Sequence, residues 1–501
     1  MTEITRKDFL RLGVAGAAAA LVSSRANAQA AVAATAKGAQ RATLIRGADI
    51  LSMDEKLGEV KGADVLVVNG KIAEIGKGLA AGDAEVIEAA GMILMPGMND
   101  GHRHLWLGLH AGRLVKTDAK KYSRYQPWKM RTMVCMTPED FHLSGYVGGL
   151  QAIDSGVTNL LDYAHAHHTQ EKAIAGAQGF LDSGVGGVFC YQASHNTTYG
   201  PGDTLPEAEA TAQRQGAPQE SNYVTAGLLR QMFATGADAP AQFGITISEG
   251  TGRRKMEDMK TEFERARTFD PFIVGCHIHK PNPMPPAGVF RTVADLHAAG
   301  LLGPDFHVAH GVEMTDEELV MLRDTGGMMC ATTMGEFPYV TASIHGKARQ
   351  MGVPAGIGLD IGTGLTQDYF EHVRAGFWSL YRSDEYAKLA NDYESADVLD
   401  FATRWGAKAL RMGDASGSIT VGKFADLVLL RTDRMGFASA GTLADRVVNF
   451  ASLPDIDSVW VRGTARKRNG QMIGIDWASL KKKVTEAQQR IDKQADTITL
   501  T

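Results

Sequence analysis

The sequence predicts an α/β fold: a (β/α)8 barrel of the TIM type, joined to a small β-sandwich domain formed from both chain ends. Three observations predict it. Between about residues 96 and 412, eight apolar strand-like runs alternate with stretches of helical periodicity. Strand signals with Asn-Gly hairpin turns, Asn69-Gly70 and Asn469-Gly470, stand near both ends of the chain. All 15 histidines lie between His102 and His372, and nine of them fall at or just beyond a predicted strand end.

A length of 501 residues suits one large domain and one small one. With 44% hydrophobic and 22% charged residues the chain is an ordinary globular one, which excludes disordered and collagen-like classes. Lys plus Arg is 52 and Asp plus Glu 57, a net charge of 52 − 57 = −5 without a basic block, so no nucleic-acid partner is expected. Cys135, Cys190, Cys276 and Cys330 are scattered with no CxxC, which excludes a disulfide scaffold, a zinc ribbon and a cysteine-ligated zinc deaminase.

Residues 1–28 read as a secretory signal peptide. Thr5-Arg-Lys-Asp-Phe-Leu10 precedes an Ala- and Gly-rich run, Leu12 to Val22, and Ala26-Asn27-Ala28 is a small-x-small cleavage site. The run is too short to span a bilayer. The opening stretch resembles a twin-arginine export signal with Lys7 in the second arginine's place, so the expectation is a periplasmic or secreted protein with no membrane insertion once the signal is removed. The alternative is a plain Ala-rich arm. Cleavage removes four basic and two acidic side chains, leaving −5 − (4 − 2) = −7.

Along the remaining chain, residues 42–95 plus 413–475 form the composite β-domain. Neither half has strands enough for a core of its own. The barrel occupies 96–412, with strands ending near His104, Tyr163, Tyr191, Ser248, His279, His310, Thr333 and Asp360. No Gly-rich phosphate loop follows the first strand, which argues against a doubly wound open sheet. Residues 477–501 read as a helical tail with Leu480, Val484, Ala487 and Ile491 on one face.

The histidines cluster where a barrel keeps its active site, at the C-terminal strand ends. Pro96-Gly-Met-Asn-Asp-Gly-His-Arg-His104 puts His102 and His104 on one face of a strand, a spacing at which two imidazoles can bind one metal ion. His277 and His279 share a face in the same way, and either can be the ligand. In Phe306-His-Val-Ala-His310, alternation sets His310 with Phe306 and Val308, and sends His307 to the opposite, helix-facing side. Asp360 ends a Gly-rich strand that closes the barrel beside the first; a helix N-cap is its ordinary role, a metal ligand its alternative. Trp106, Tyr122, Tyr125 and Trp128 can wall an apolar substrate pocket or pack beneath a long loop.

These motifs resemble the amidohydrolase superfamily: HxH after a first strand, then His, His and Asp from later strands. Ile93-Leu-Met-Pro-Gly-Met-Asn-Asp-Gly-His102 is similar to that superfamily's lead into the barrel, and Val421-Gly-Lys-Phe-Ala-Asp-Leu-Val-Leu429 to its return to the β-domain. Within it, Gly156-Val-Thr158, Thr169 and His310-Gly-Val-Glu-Met-Thr-Asp-Glu-Glu318 resemble the cytosine-deaminase-like, atrazine-chlorohydrolase-like branch. The resemblance implies a hydrolase of amide or cyclic C–N bonds. It implies His102, His104, His277 and Asp360 as ligands of one divalent ion, zinc, with iron or manganese as alternatives. Asp360 carries the proton and His310 stabilises the oxyanion. No lysine on Gly244-Ile-Thr-Ile-Ser248 offers a bridge for a second ion. One departure stands out. The branch carries glutamate three residues after the fifth-strand histidine, and this chain has Lys280. Glu249 and Glu336 are the candidates to replace that carboxylate, unless they are solvated loop residues. Lys280 at the rim suits a carboxylate-bearing small-molecule substrate, with His279, Trp106, Tyr125 and Glu336 beside it. A ring deaminase or dehalogenase, a binding protein on a decayed barrel, and a homo-oligomeric assembly are the open alternatives.

Overall fold

A computed structural model describes residues 42–113, 125–193, 197–214, 216–236, 238–247, 255–279, 292–337, 343–438 and 440–501. The signal-like segment, Tyr122, His195, Glu249 and Lys280 lie outside them.

Alternating apolar residues at both chain ends build one continuous mixed sheet of nine strands, in which Leu427–Leu430 pairs antiparallel with Ile93–Pro96 and so joins the two ends. Alternation divides its side chains between two cores. Leu94, Leu427, Leu429 and Trp460 face a core shared with Ile45, Ile50, Val65 and Val67. Ile93, Met95, Val428 and Leu430 face the other way and merge with the barrel's core. The expected β-domain from both chain ends is thus present, its strands enclosing a core of their own on one face while the other face meets the barrel.

The barrel strands are β1 (Met98–Arg103), β2 (Val157–Ala164), β3 (Gly186–Gln192), β4 (Ala241–Thr246), β5 (Val274–His279), β6 (Phe306–Val312), β7 (Met328–Ala331) and β8 (Ala355–Ile357). All seven sequential pairings are parallel. A parallel bridge between Arg103 and Asp360 closes the ring. There the Asp360 N–H donates to the His102 carbonyl (2.8 Å) and the His104 N–H to the Asp360 carbonyl (3.1 Å). Closure requires Gly358: a Cβ there would lie 2.7 Å from the His102 nitrogen and 2.8 Å from its oxygen, both backbone atoms. Gly358→Ala is therefore expected to cost about 1–3 kcal/mol of stability through overpacking, read as a lower denaturation midpoint. An unchanged midpoint would show that the β1–β8 seam has slack.

Two helices follow β1: α1 (Tyr125–Cys135) and α2 (Pro138–Asp154), the latter started by a Thr137–Asp140 capping box. After β3 comes α3 (Glu207–Arg214). The tail forms α4 (Trp477–Ala495). Its Ala487, Ile491 and Ala495 pack with Trp106, Leu109, Met130 and Met133 over the β1 loop and α1. Arg490 on α4 pairs with Asp140, and Asp492 with Arg113. No described helix is long and apolar enough to cross a membrane.

Candidate metal centre

His102 on β1 and His104, one residue past its end, come to one side at the C-terminal rim, with ring centroids 4.8 Å apart. His277 from β5 stands 5.0 Å from His102, and His310 from β6 stands 4.9 Å from it. Asp360, just past β8, places Oδ1 3.4 Å from His102 Nε2 and 3.2 Å from His104 Nε2. One ligand atom from each of His102, His104 and His277 lies within 4.8 Å of the others, as does one from each of His102, His310 and Asp360. His279 reaches the same rim with its ring 4.1 Å from His310.

The chemistry of this donor set fits a divalent cation. His102 is fully buried, and neither of its ring nitrogens has a hydrogen-bond partner among the described residues. His277 Nδ1 is likewise unpartnered. Leaving such atoms unsatisfied costs about 1–3 kcal/mol each, and a metal ion removes that cost. His104 Nδ1 lies 2.8 Å from the Tyr163 carbonyl oxygen. A carbonyl only accepts, so Nδ1 carries the proton and Nε2 presents a lone pair to the site. Burial holds His102, His277 and His279 well below the usual imidazole range, so all three are neutral. Burial also works against the Asp360 carboxylate, but His102, His104 and the charge of His310 outweigh it and hold the group well below the usual carboxylate range. Neutral His102 and His277 beside an ionised Asp360 are the protonation states a metal ion needs.

His310 is oriented from behind. The Thr332 hydroxyl, 3.2 Å from Glu336 Oε1, donates to that carboxylate. Its oxygen is then free to accept the His310 Nδ1 proton at 2.8 Å. Glu336 is buried, taking the Thr332 N–H at 2.7 Å and the Ser343 hydroxyl at 2.7 Å. Its position corrects the expectation of a substrate-facing carboxylate: Glu336 stands behind His310 with both oxygens engaged.

The expected facing of His307 is also corrected. Its Nδ1 pairs with the Tyr163 hydroxyl at 3.1 Å, inside the barrel beneath the cluster. His310 faces inward as well, because φ is +70° there and +65° at Gly311, and two left-handed residues break the alternation. Asp360 also sits at φ +70°. Left-handed backbone at a non-glycine residue is strained and concentrates at functional sites.

Of the expected pocket aromatics, Trp106 is buried among the residues under α4 and touches His165 edge-on at 5.8 Å. Tyr125 is buried on α1, 6.0 Å from Trp128. His165, one of the nine histidines expected at or beyond a strand end, lies with its ring centroid 4.0 Å from that of His104 and tilted by 47°. Nothing in the sequence marked Thr332.

Fold and site together define a barrel-rim centre able to hold a divalent metal ion. The chain belongs to the amidohydrolase family, which it matches over residues 93–466, and is a hydrolase acting on carbon–nitrogen bonds. It is 24% identical over 453 residues to a 5'-deoxyadenosine deaminase of Methanosarcina acetivorans, covering 86% of this chain and 94% of that one. It is also 24% identical over 364 residues to a 5-methylthioadenosine/S-adenosylhomocysteine deaminase of Symbiobacterium thermophilum, covering 70% and 76%. Among solved structures, an adenosine deaminase from Xanthomonas campestris with bound zinc superposes with a TM-score of 0.75 at 18% identity, covering 90% of this chain and 98% of that one. Atrazine chlorohydrolase from Arthrobacter aurescens, complexed with zinc, gives 0.75 at 18% identity, covering 89% and 99%. These two likenesses fix the fold.

Proposed function

We propose that the chain hydrolyses an amide or lactam-type C–N bond of a small, carboxylate-bearing molecule, with one zinc ion held by His102, His104, His277 and Asp360. Iron and manganese suit the same nitrogen and oxygen donors; zinc is preferred because the two structural neighbours named above hold it. The observation that carries the reaction type is the carboxylate inventory. Among the described residues Asp360 is the one carboxylate in the histidine cluster, and Glu336 is committed behind His310. Ring deamination in this family's deaminase branch uses a second carboxylate beside the water, and the sequence has Lys280 in its place. An ammonium is already protonated at neutral pH and cannot take that proton.

When bound, the ion supplies Lewis acidity and a water whose pKa is lowered to about 7. Asp360, ionised in the resting site, accepts the proton of the attacking water and returns it to the departing nitrogen. With both ring nitrogens protonated, Nδ1–H held by Thr332, His310 donates Nε2–H to the substrate carbonyl oxygen and steadies the developing negative charge.

Ring deamination is the second reading, supported by the deaminases among the relatives. A paired panel separates the two: acyl cleavage of N-acyl amino acids and lactams against ammonia release from adenosine-type and cytosine-type rings. The expected result is acyl cleavage. Ammonia release without acyl cleavage overturns the amide reading in favour of the deaminase one. We also propose export to the periplasm or medium. N-terminal sequencing of protein from the native host is expected to find Gln29 first; an intact Met1 or Thr2 start contradicts it.

A further inference from the structure

Around the strand that carries His102 stands a group of buried charges that the proposed chemistry does not use. Asp100 and Arg103 on β1 and Asp162 on β2 are all buried. Arg103 Nε donates to Asp100 Oδ2 at 2.8 Å. Burying an ion is costly unless hydrogen bonds recover the loss, so the partners of these carboxylates say what they are for. The strand is also irregular here. β1 advances three residues, Asp100 to Arg103, where β2 advances two, Leu160 to Asp162. This is a bulge of one residue, and it contains His102. Bulges of this kind re-aim a side chain at the expense of regular pairing.

The aspartates take up the backbone at that bulge. Asp100 Oδ1 accepts the His102 N–H at 3.2 Å and the Leu359 N–H at 3.1 Å. Leu359 immediately precedes Asp360, so one oxygen ties β1 to the chain just past β8. Asp162 Oδ1 accepts the Leu105 N–H at 2.9 Å, and Leu105 immediately follows His104. Arg103 Nη1 reaches across the seam to Gln367 Oε1 at 3.4 Å, in the segment after Asp360. Of the four residues proposed as ligands, three therefore have their own or an adjacent backbone N–H fixed by an aspartate side chain. Bonds from N–H to an ionised carboxylate are roughly twice as strong as neutral ones.

We propose that Asp100 and Asp162, with Arg103 holding Asp100 in place, are positioning residues that preform the metal centre: they fix the backbone at His102, His104 and Asp360 before the ion arrives. The proposal rests on the reading of those three residues as ligands and explains how a bulged strand can present two of them. Metal–ligand distances tolerate only about 0.2 Å, and a bulge without its own restraints would leave the ligands free to wander by more. A backbone already held loses less conformational freedom when the ion binds, so the aspartates act on metal affinity without touching the metal.

Two measurements on the full-length protein test this, and neither reads turnover. The first is amide hydrogen exchange of the wild type, metal-free and zinc-loaded. In the metal-free protein the N–H groups of His102, Leu105 and Leu359 are expected to exchange as slowly as those of the barrel's core strands, with zinc slowing them by less than about tenfold. Fast exchange that becomes slow only with zinc overturns the preformed site, and this result needs no variant. The second is zinc affinity, by competition with a chromogenic chelator, together with the visible spectrum of the cobalt(II)-substituted protein. Asp162→Leu, and Asp100→Leu combined with Arg103→Met, remove the acceptors and should weaken zinc binding about 10–100-fold and shift the cobalt bands. Asp162→Asn, and Asp100→Asn combined with Arg103→Met, keep an amide oxygen for the same N–H groups and should stay within about threefold of wild type. Leucine variants that bind zinc as the wild type does, or asparagine variants as weak as the leucine ones, overturn the positioning role alone. A wild type that binds no zinc overturns the ligand reading itself.

Discussion

Asp360→Asn is expected to lower kcat about a thousandfold or more, within the range of a lost acid–base catalyst, while the protein keeps part of its metal. Asparagine retains an oxygen that can face His102 and His104, where Oδ1 now lies at 3.4 and 3.2 Å. It cannot carry a proton from water to a leaving nitrogen. The backbone bonds that close the barrel at this residue run through its N–H and C=O and are untouched, so a fall in rate without a fall in stability isolates the proton shuttle. Activity within tenfold of wild type would place the base elsewhere, with Glu249 as the next candidate.

His102→Ala is expected to abolish turnover and to strip the metal, because His102 stands at the centre of the cluster. It belongs to both groups of converging donors, and the rings of His104, His277 and His310 all lie within 5.0 Å of its own. Loss of a supporting residue behind a ligand already costs about 10–100-fold in metal affinity; loss of the central ligand should exceed that. Elemental analysis of the purified variant reads the result. Full occupancy in His102→Ala would remove this residue from the ligand set.

Much of this architecture was legible in the sequence because it rests on periodicity. The HxH spacing placed His102 and His104 on one face, and the closure of β8 on β1 brought Asp360 to them. The Asn-Gly hairpins at both ends anticipated a sheet shared between them. What periodicity could not supply was local backbone. Left-handed residues at His310 and Gly311 turn both His307 and His310 inward, and strict alternation therefore misassigned His307. The role of Glu336 depends on Thr332, at the start of the short helix that ends at Glu336, and on Ser343, contacts that no spacing rule reports.

The central claim is that one divalent ion at His102, His104, His277 and Asp360 drives C–N hydrolysis. It is tested most directly by the metal-to-protein ratio of the purified enzyme, followed through chelation and reconstitution. The expected result is about one zinc, iron or manganese ion per chain, hydrolytic activity that falls with the ion and returns when it is restored, and zinc as the ion that restores it best. Full activity in protein stripped of metal would contradict the account.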